Sequence, residues 1–311
     1  MPPELADITD QISLSPQQAI GIPIALFGAV LIAIGTQLQH SGVVRVGGEA
    51  DTKSGLSVGQ LVALLRRPAW VLGTLVLGIA ILCQLTSLIF APLIVVQPLG
   101  AVALVVTAIL NSRLSGIKLD FLSKRAIAFC VGGVGLFVTV AAFTATSRPV
   151  TEKQLAVVLV ILAVVLVAFA VAFVLLRKRV GPIFYIIGAG VLFGFVATLA
   201  KVIIDRVKTL SFLGFELGDA EWLTLLCLLG LAVAGLLGSY FVQTAYSNGP
   251  PDLVVAGLTV IDPLVAICIG IVVLGEASQA PWWAAIAFVI AGALAIYGVF
   301  QLAKHHPQSQ H

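Results

Sequence analysis

Asp262 places a carboxylate inside an apolar run. It stands in TVIDPLVAICIGIVVL directly before Pro263, and about 165 residues earlier Gln97 stands directly before Pro98 in VVQPLGAVALVVTAIL. An ionisable side chain within hydrocarbon is costly and marks function by default. Pro263 has no N–H for the carbonyl of Thr259, so a carboxylate and a freed carbonyl lie close together. Hard cations seek oxygen-rich places of that kind. A second reading stands beside this one, because aspartate before proline is also an N-cap followed by the favoured first helical residue, its carboxylate bonded only to backbone N–H groups. The first reading makes Asp262 the candidate ligand for a substrate or metal ion. Both readings make Pro98 and Pro263 candidate helix breaks.

Other polar residues recur at helical spacing. Gln97, Gly100, Leu104, Thr107 and Asn111 form one stripe, and Gly235, Ser239, Gln243 and Tyr246 form another. Gln84 matches Gln243: each precedes a proline, Pro92 or Pro251, by eight residues. Two amides, a phenol and a hydroxyl suit the lining of a polar pathway, and they suit interhelical hydrogen bonding equally well. Lys201 and Asp205 stand four apart and read as an interfacial ion pair with a snorkelling lysine, or as part of a gate. Glu276 closes a span, where solvation is the ordinary state and a gate is the alternative. The acids Glu216, Asp219 and Glu221, with the acidic N-terminus, either concentrate cations or belong to a solvated loop. His40 has no metal-binding companion in sequence, and no catalytic triad, phosphate-cradling glycine loop or HExxH is present, so no enzyme site and no bound cofactor are expected.

These residues need a membrane around them. Of the 311 residues 60% are hydrophobic and 10% charged, with mean hydropathy +1.13, too little polar surface to cover a water-soluble globule. Cys83, Cys130, Cys227 and Cys268 all lie in apolar runs without CxxC spacing, and they read as small packing residues. The net charge of +3 reports orientation rather than a nucleic-acid partner. Apolar stretches long enough to cross the bilayer fall at roughly 18–39, 68–89, 93–111, 124–145, 154–176, 182–204, 222–246, 253–275 and 282–303. The expected fold is an all-α integral membrane protein of about nine transmembrane helices. Residues 57–66 are expected to lie along the interface as a short amphipathic helix.

With the N-terminus outside, the inner segments hold twelve basic residues and the outer side five, namely Arg148, Lys153, Lys201, Arg206 and Lys208, which favours that orientation and a cytoplasmic C-terminus. The first seventeen residues carry Glu4, Asp7 and Asp10 and no basic residue, the opposite of a cleavable signal peptide. AFCVGGVG at 128–135 parallels AFVIAGAL at 287–294, so two four-helix units recur as spans 1–4 and 6–9. One span lies between them, and the second unit therefore enters from the opposite side, an inverted repeat whose interface is where a transported solute binds. The expected organisation is an extracytoplasmic segment 1–17, a first repeat 18–145, a linking fifth span with its loops 146–181, a second repeat 182–303 and a cytoplasmic tail 304–311.

APLIVVQPLGAVALVVTAILNSRL, followed by a basic loop and a glycine-rich span, resembles the corresponding stretch of NIPA-type magnesium transporters in the drug/metabolite transporter superfamily. IDPLVAICIGIVVLGE and GVLFGFVATLAK resemble that superfamily's second-half patterns, and the likeness extends over nearly all of 18–303. The resemblance implies alternating access between two inverted halves and a transported Mg²⁺ or related divalent cation. It carries over Pro98, Pro263, Gly275, Glu276 and Lys201 as pattern positions. Two alternatives stay open: a proton-coupled, EamA-like exporter of a small polar or cationic metabolite using Asp262, Gln97, Gln84, Gln243 and Tyr246, and a lipid-handling or non-transporting membrane scaffold. The expected surroundings are a lipid bilayer in the cell membrane, with an ion or metabolite as substrate and room for a homodimer.

Overall fold

The computed structural model describes residues 16–47, 66–116, 119–146, 149–176, 181–213, 221–249 and 251–304. The acids at 4, 7, 10, 216 and 219, the interfacial segment up to residue 65 and the histidine tail lie outside them, as do the side chains of His40 and Glu221. Ten helical elements follow in order: α1 Pro16–Gly47, α2 Pro68–Phe90, α3 Leu93–Leu99, α4 Ala101–Ser115, α5 Phe121–Thr144, α6 Glu152–Leu176, α7 Pro182–Leu213, α8 Glu221–Asn248, α9 Pro251–Val272 and α10 Trp282–Lys304. Together α3 and α4 make one span, Leu93–Leu114, so the described residues hold nine spans long and apolar enough to cross a membrane. No strand occurs among them. The chain is an all-α, multi-pass membrane protein.

Local signals set the helix ends. Pro68 occupies the first turn of α2, where a missing N–H costs nothing. Asp120 caps α5, its Oδ1 accepting from the Ser123 N–H at 2.8 Å. Gly116 ends α4 and Gly275 follows α9, each at a φ near 70° that suits glycine alone. Within the spans, Thr107, Thr139, Thr198 and Thr259 spend their hydroxyls on the carbonyl four residues back.

α1 packs along α2, α7 along α8 and α9, and α5 along α10, while α3 reaches α5 and α9. All seven residues of α3 are buried, at the centre of the bundle. α6 is peripheral, with Val160, Val164, Val167 and Leu175 all exposed to the hydrocarbon side. The α5–α10 crossing is close because two glycines face backbone: a Cβ on Gly133 would stand 2.4 Å from the Ala295 nitrogen, and one on Gly298 2.4 Å from the Cys130 nitrogen.

The two prolines do not break their helices alike. Gly100 separates α3 from α4 two residues after Pro98, yet it keeps helical torsions, and its N–H turns back to the Gln97 carbonyl at 3.1 Å. α9 runs through Pro263 as one helix, so the expected break there is corrected. Pro263 removes one hydrogen bond, and packing of α9 on α7 keeps the helix continuous. A continuous α9 also has no half-helix N-terminus at Asp262 for the carboxylate to cap.

Candidate functional site

A cavity of about 550 Å³ lies between α1, α2, α3–α4, α7 and α9. Gln84 comes to it from α2, Gln97 from α3, Thr107 from α4, Phe193 and Val196 from α7, and Thr259, Asp262 and Pro263 from α9. Among the described residues, Asp262 is the one charged residue in the lining. Its Oδ1 is buried without a hydrogen-bond partner among those residues. The N-cap reading is therefore not what the structure shows, since no backbone N–H reaches that oxygen. Thr107 and Thr259 have hydroxyls bonded at 2.8 and 2.7 Å to their own helices, so the two amides are the polar groups left beside the carboxylate. A wall whose one ionisable group is a carboxyl, with two amides beside it, suits a cation.

A lattice of buried charge lies beyond one end of this cavity, next to Leu88. α2 ends near Phe90, and Pro92 has no N–H to give to the Leu88 carbonyl. Lys201 of α7 takes that carbonyl at 2.9 Å and the Ala91 carbonyl at 3.4 Å, and it pairs with Asp205 at 3.2 Å. Lys208 donates to the carbonyl of Ile89. On the far side of the same break, Glu276 accepts the Leu93 and Ile94 N–H groups, one on each carboxylate oxygen, both at 2.8 Å. Cations thus bind the C-terminal end of α2 and an anion binds the N-terminal end of α3, as the helix dipoles require. Gly270 leaves room for Glu276: a Cβ there would stand 2.9 Å from its Oε2. Burial pushes the Glu276 carboxyl above its ordinary value, against the opposing pull of the Ile94 and Leu93 N–H groups and the Lys201 charge.

Neighbouring contacts tie down the same end. The Thr146 N–H donates to the Glu276 carbonyl at 2.8 Å, Gln18 donates to the Ala145 carbonyl at 3.1 Å, and Gln154 donates to the Val273 carbonyl at 2.9 Å. Leu88, whose carbonyl Lys201 holds, also lines the cavity.

Gln84, Gln97 and Asp262 thus meet around one space. Ser239, Gln243 and Tyr246 do not: all three are exposed on α8, whose buried face, Cys227, Ala234 and Ala245, turns inward. That expectation is corrected. α8 carries small residues on several faces, and α7 occupies the wall that Gln243 would need. Lys201 and Asp205 do pair, but they are 1% and 8% exposed, so the lysine is buried rather than snorkelling. Glu276 at 3% exposure is not solvated either. The roles of Gln18, Gln154 and Lys208 went unread, although the carbonyl orphaned by Pro92 was a legible signal that a donor must come from elsewhere. No group of three or more His, Cys, Asp or Glu able to hold a metal occurs among the described residues.

A sequence profile described as "Magnesium transporter NIPA" matches residues 16–306. An uncharacterized protein of Corynebacterium glutamicum is 27% identical over 286 residues, which is 92% of this chain and 95% of that protein. "Magnesium transporter NIPA4" of mouse is 28% identical and that of human 29% identical over 114 residues; this stretch is 37% of this chain and only 27% and 28% of theirs. No solved structure gives a significant match. A profile spanning nearly the whole chain, on a bundle of nine apolar spans around a carboxylate-lined cavity, places the chain in the NIPA magnesium transporter family, membrane transporters of the drug/metabolite type and not enzymes.

Proposed function

We propose that this protein carries Mg²⁺ or a related divalent cation across the cell membrane by alternating access, with Asp262 as the ligand that selects a cation and Gln84 and Gln97 as its amide partners. One observation carries the proposal: an unpartnered buried Asp262 oxygen beside two amides in a cavity of about 550 Å³. Magnesium sheds water reluctantly and is commonly held through one or two carboxylates with several waters retained. Six waters at about 30 Å³ each occupy about 180 Å³. The cavity therefore has room for a hydrated ion, and a single carboxylate then suffices where a bare ion would need more.

The inverted repeat is part of the same proposal and has packing support. α1 packs on α2 and on α3–α4, as α7 packs on α8 and α9; α3–α4 packs on α5, as α9 packs on α10. Exchanging spans 1–4 for 6–9 turns one set of neighbours into the other. The excess of basic residues in the inner segments supports an outside N-terminus, which puts the charge lattice at the outer end of the cavity.

In liposomes, Asp262→Asn is expected to lower Mg²⁺ uptake by at least about tenfold, the loss of one charge-assisted contact at roughly 1.4 kcal/mol or more. Undiminished uptake by this variant would remove Asp262 from the mechanism. The size of the cavity favours a second reading, export of a small cationic metabolite driven by protons. A substrate panel run with and without a pH gradient separates the two: metabolite flux that follows the gradient, with no Mg²⁺ flux, selects the exporter.

A further inference from the structure

A second cavity, about 400 Å³, lies on the next face of α9 round from Asp262, and it shares Thr259 and Pro263 with the first. Its walls run from Thr259 to Ile271 on α9 and from Phe288 to Val299 on α10, twelve and eleven residue steps. At 1.5 Å per step these are about 18 and 16.5 Å, parallel to the helices. About 400 Å³ spread over that length makes a long, narrow slot that suits an extended chain rather than a compact solute.

The slot opens where Leu264 and Val289, 48% and 72% exposed, face the hydrocarbon, and it reaches inward to Pro98 and Phe137. Thr259 and Cys268 alone bring side-chain heteroatoms to the lining, and the Thr259 hydroxyl is already bonded to the Val255 carbonyl. Water needs two or more polar partners to stay in a cavity, and an empty slot forfeits the contacts of every atom lining it. The slot is continuous with the lipid boundary of the spans and lies along their axes. We propose that it holds one acyl chain of a bilayer phospholipid, inserted between α9 and α10 up to the junction of α3 and α4. The chain backs the stretch of α9 whose other face carries Asp262.

The test uses the full chain in phosphatidylcholine bilayers that contain a phospholipid with a photoactivatable diazirine along one acyl chain, with labelled residues mapped by mass spectrometry. Label is expected on Pro98, Ala101, Val134 and Phe137, buried slot residues that an annular lipid does not reach. Gly292 lines the slot, and a Cβ there meets nothing within 4 Å, so Gly292→Leu directs its side chain into the slot from an unobstructed Cβ. It is expected to cut the deep label about tenfold, the equivalent of losing the burial of two methylenes. Gly132→Leu, at an exposed position of α5 outside the slot, is expected to leave it unchanged. Label confined to the exposed rim of the unsubstituted chain overturns the proposal whether or not the variants fold, as does deep label indifferent to Gly292→Leu. The readout is lipid contact alone, so its failure would leave the cation reading untouched.

Discussion

Lys201 buries an ammonium group almost completely, and its surroundings account for it: two carbonyls stranded where α2 ends and one carboxylate a helical turn away. Removing one partner from a buried pair leaves the other uncompensated, at a cost of about 3–5 kcal/mol. Lys201→Met is therefore expected to lower the thermal midpoint in detergent markedly, and an unaltered midpoint would show the lattice to be dispensable. Glu276 adds a pH dependence with a definite sign. Its folded value lies above the ordinary 4.5 because burial disfavours the charged form, so the folded state binds this proton more tightly than the unfolded chain does. Its contribution to stability is full below the unfolded value and is lost as pH rises through the raised folded one. Thermal midpoints measured across that window should fall with rising pH, and Glu276→Gln should flatten the slope. An equally steep slope in the variant would assign it to another group.

The elements repeat the lesson of the residues. Gly133 and Gly298 let α5 and α10 approach until backbone meets backbone, so Gly298→Ala is expected to destabilise by about 1–3 kcal/mol through overpacking. Gly292→Leu, on the same helix but facing open space, should be neutral or stabilising, since leucine is the better helix former. Denaturation of the two variants side by side would read the difference, and equal midpoints would refute the close crossing. The spans themselves were legible because length and hydropathy are properties of one stretch of chain. Gln84, Gln97 and Asp262 were legible as polar residues in apolar runs. The face that α8 turns to its neighbours was not, because small residues on several sides leave its rotation undetermined until α7 is packed against it. Glu276 was illegible for another reason: its partners, Leu93 and Ile94, lie more than 180 residues away in sequence. Proline misled at position 263, where tertiary packing carried the helix past the missing bond.

At the scale of the whole molecule, charge that joins different parts of the chain, Lys201 to Leu88 and Glu276 to Leu93 and Ile94, lies beyond one end of the cavity. The cavity lining continues the other way toward Thr107, midway along α4, and Val255, near the start of α9. On the alternating-access proposal this asymmetry is a carrier at rest with one side sealed, and such a carrier must exchange that seal for another. Single cysteines test the exchange in a background with Cys83, Cys130, Cys227 and Cys268 replaced. Cysteine at Ala103 or Val255, both in the lining, should react with a membrane-impermeant thiol reagent added on the C-terminal side. Cysteine at Ile94, which is fully buried behind Glu276, should be protected from either side. On the same proposal, adding Glu276→Gln removes an acceptor from the Leu93 and Ile94 N–H groups and is expected to raise labelling at Ile94 from the opposite side while lowering it at Ala103, because opening one end of an alternating carrier closes the other. Labelling that rises at both positions together would describe a channel, and labelling unchanged at both would describe a rigid bundle that does not alternate.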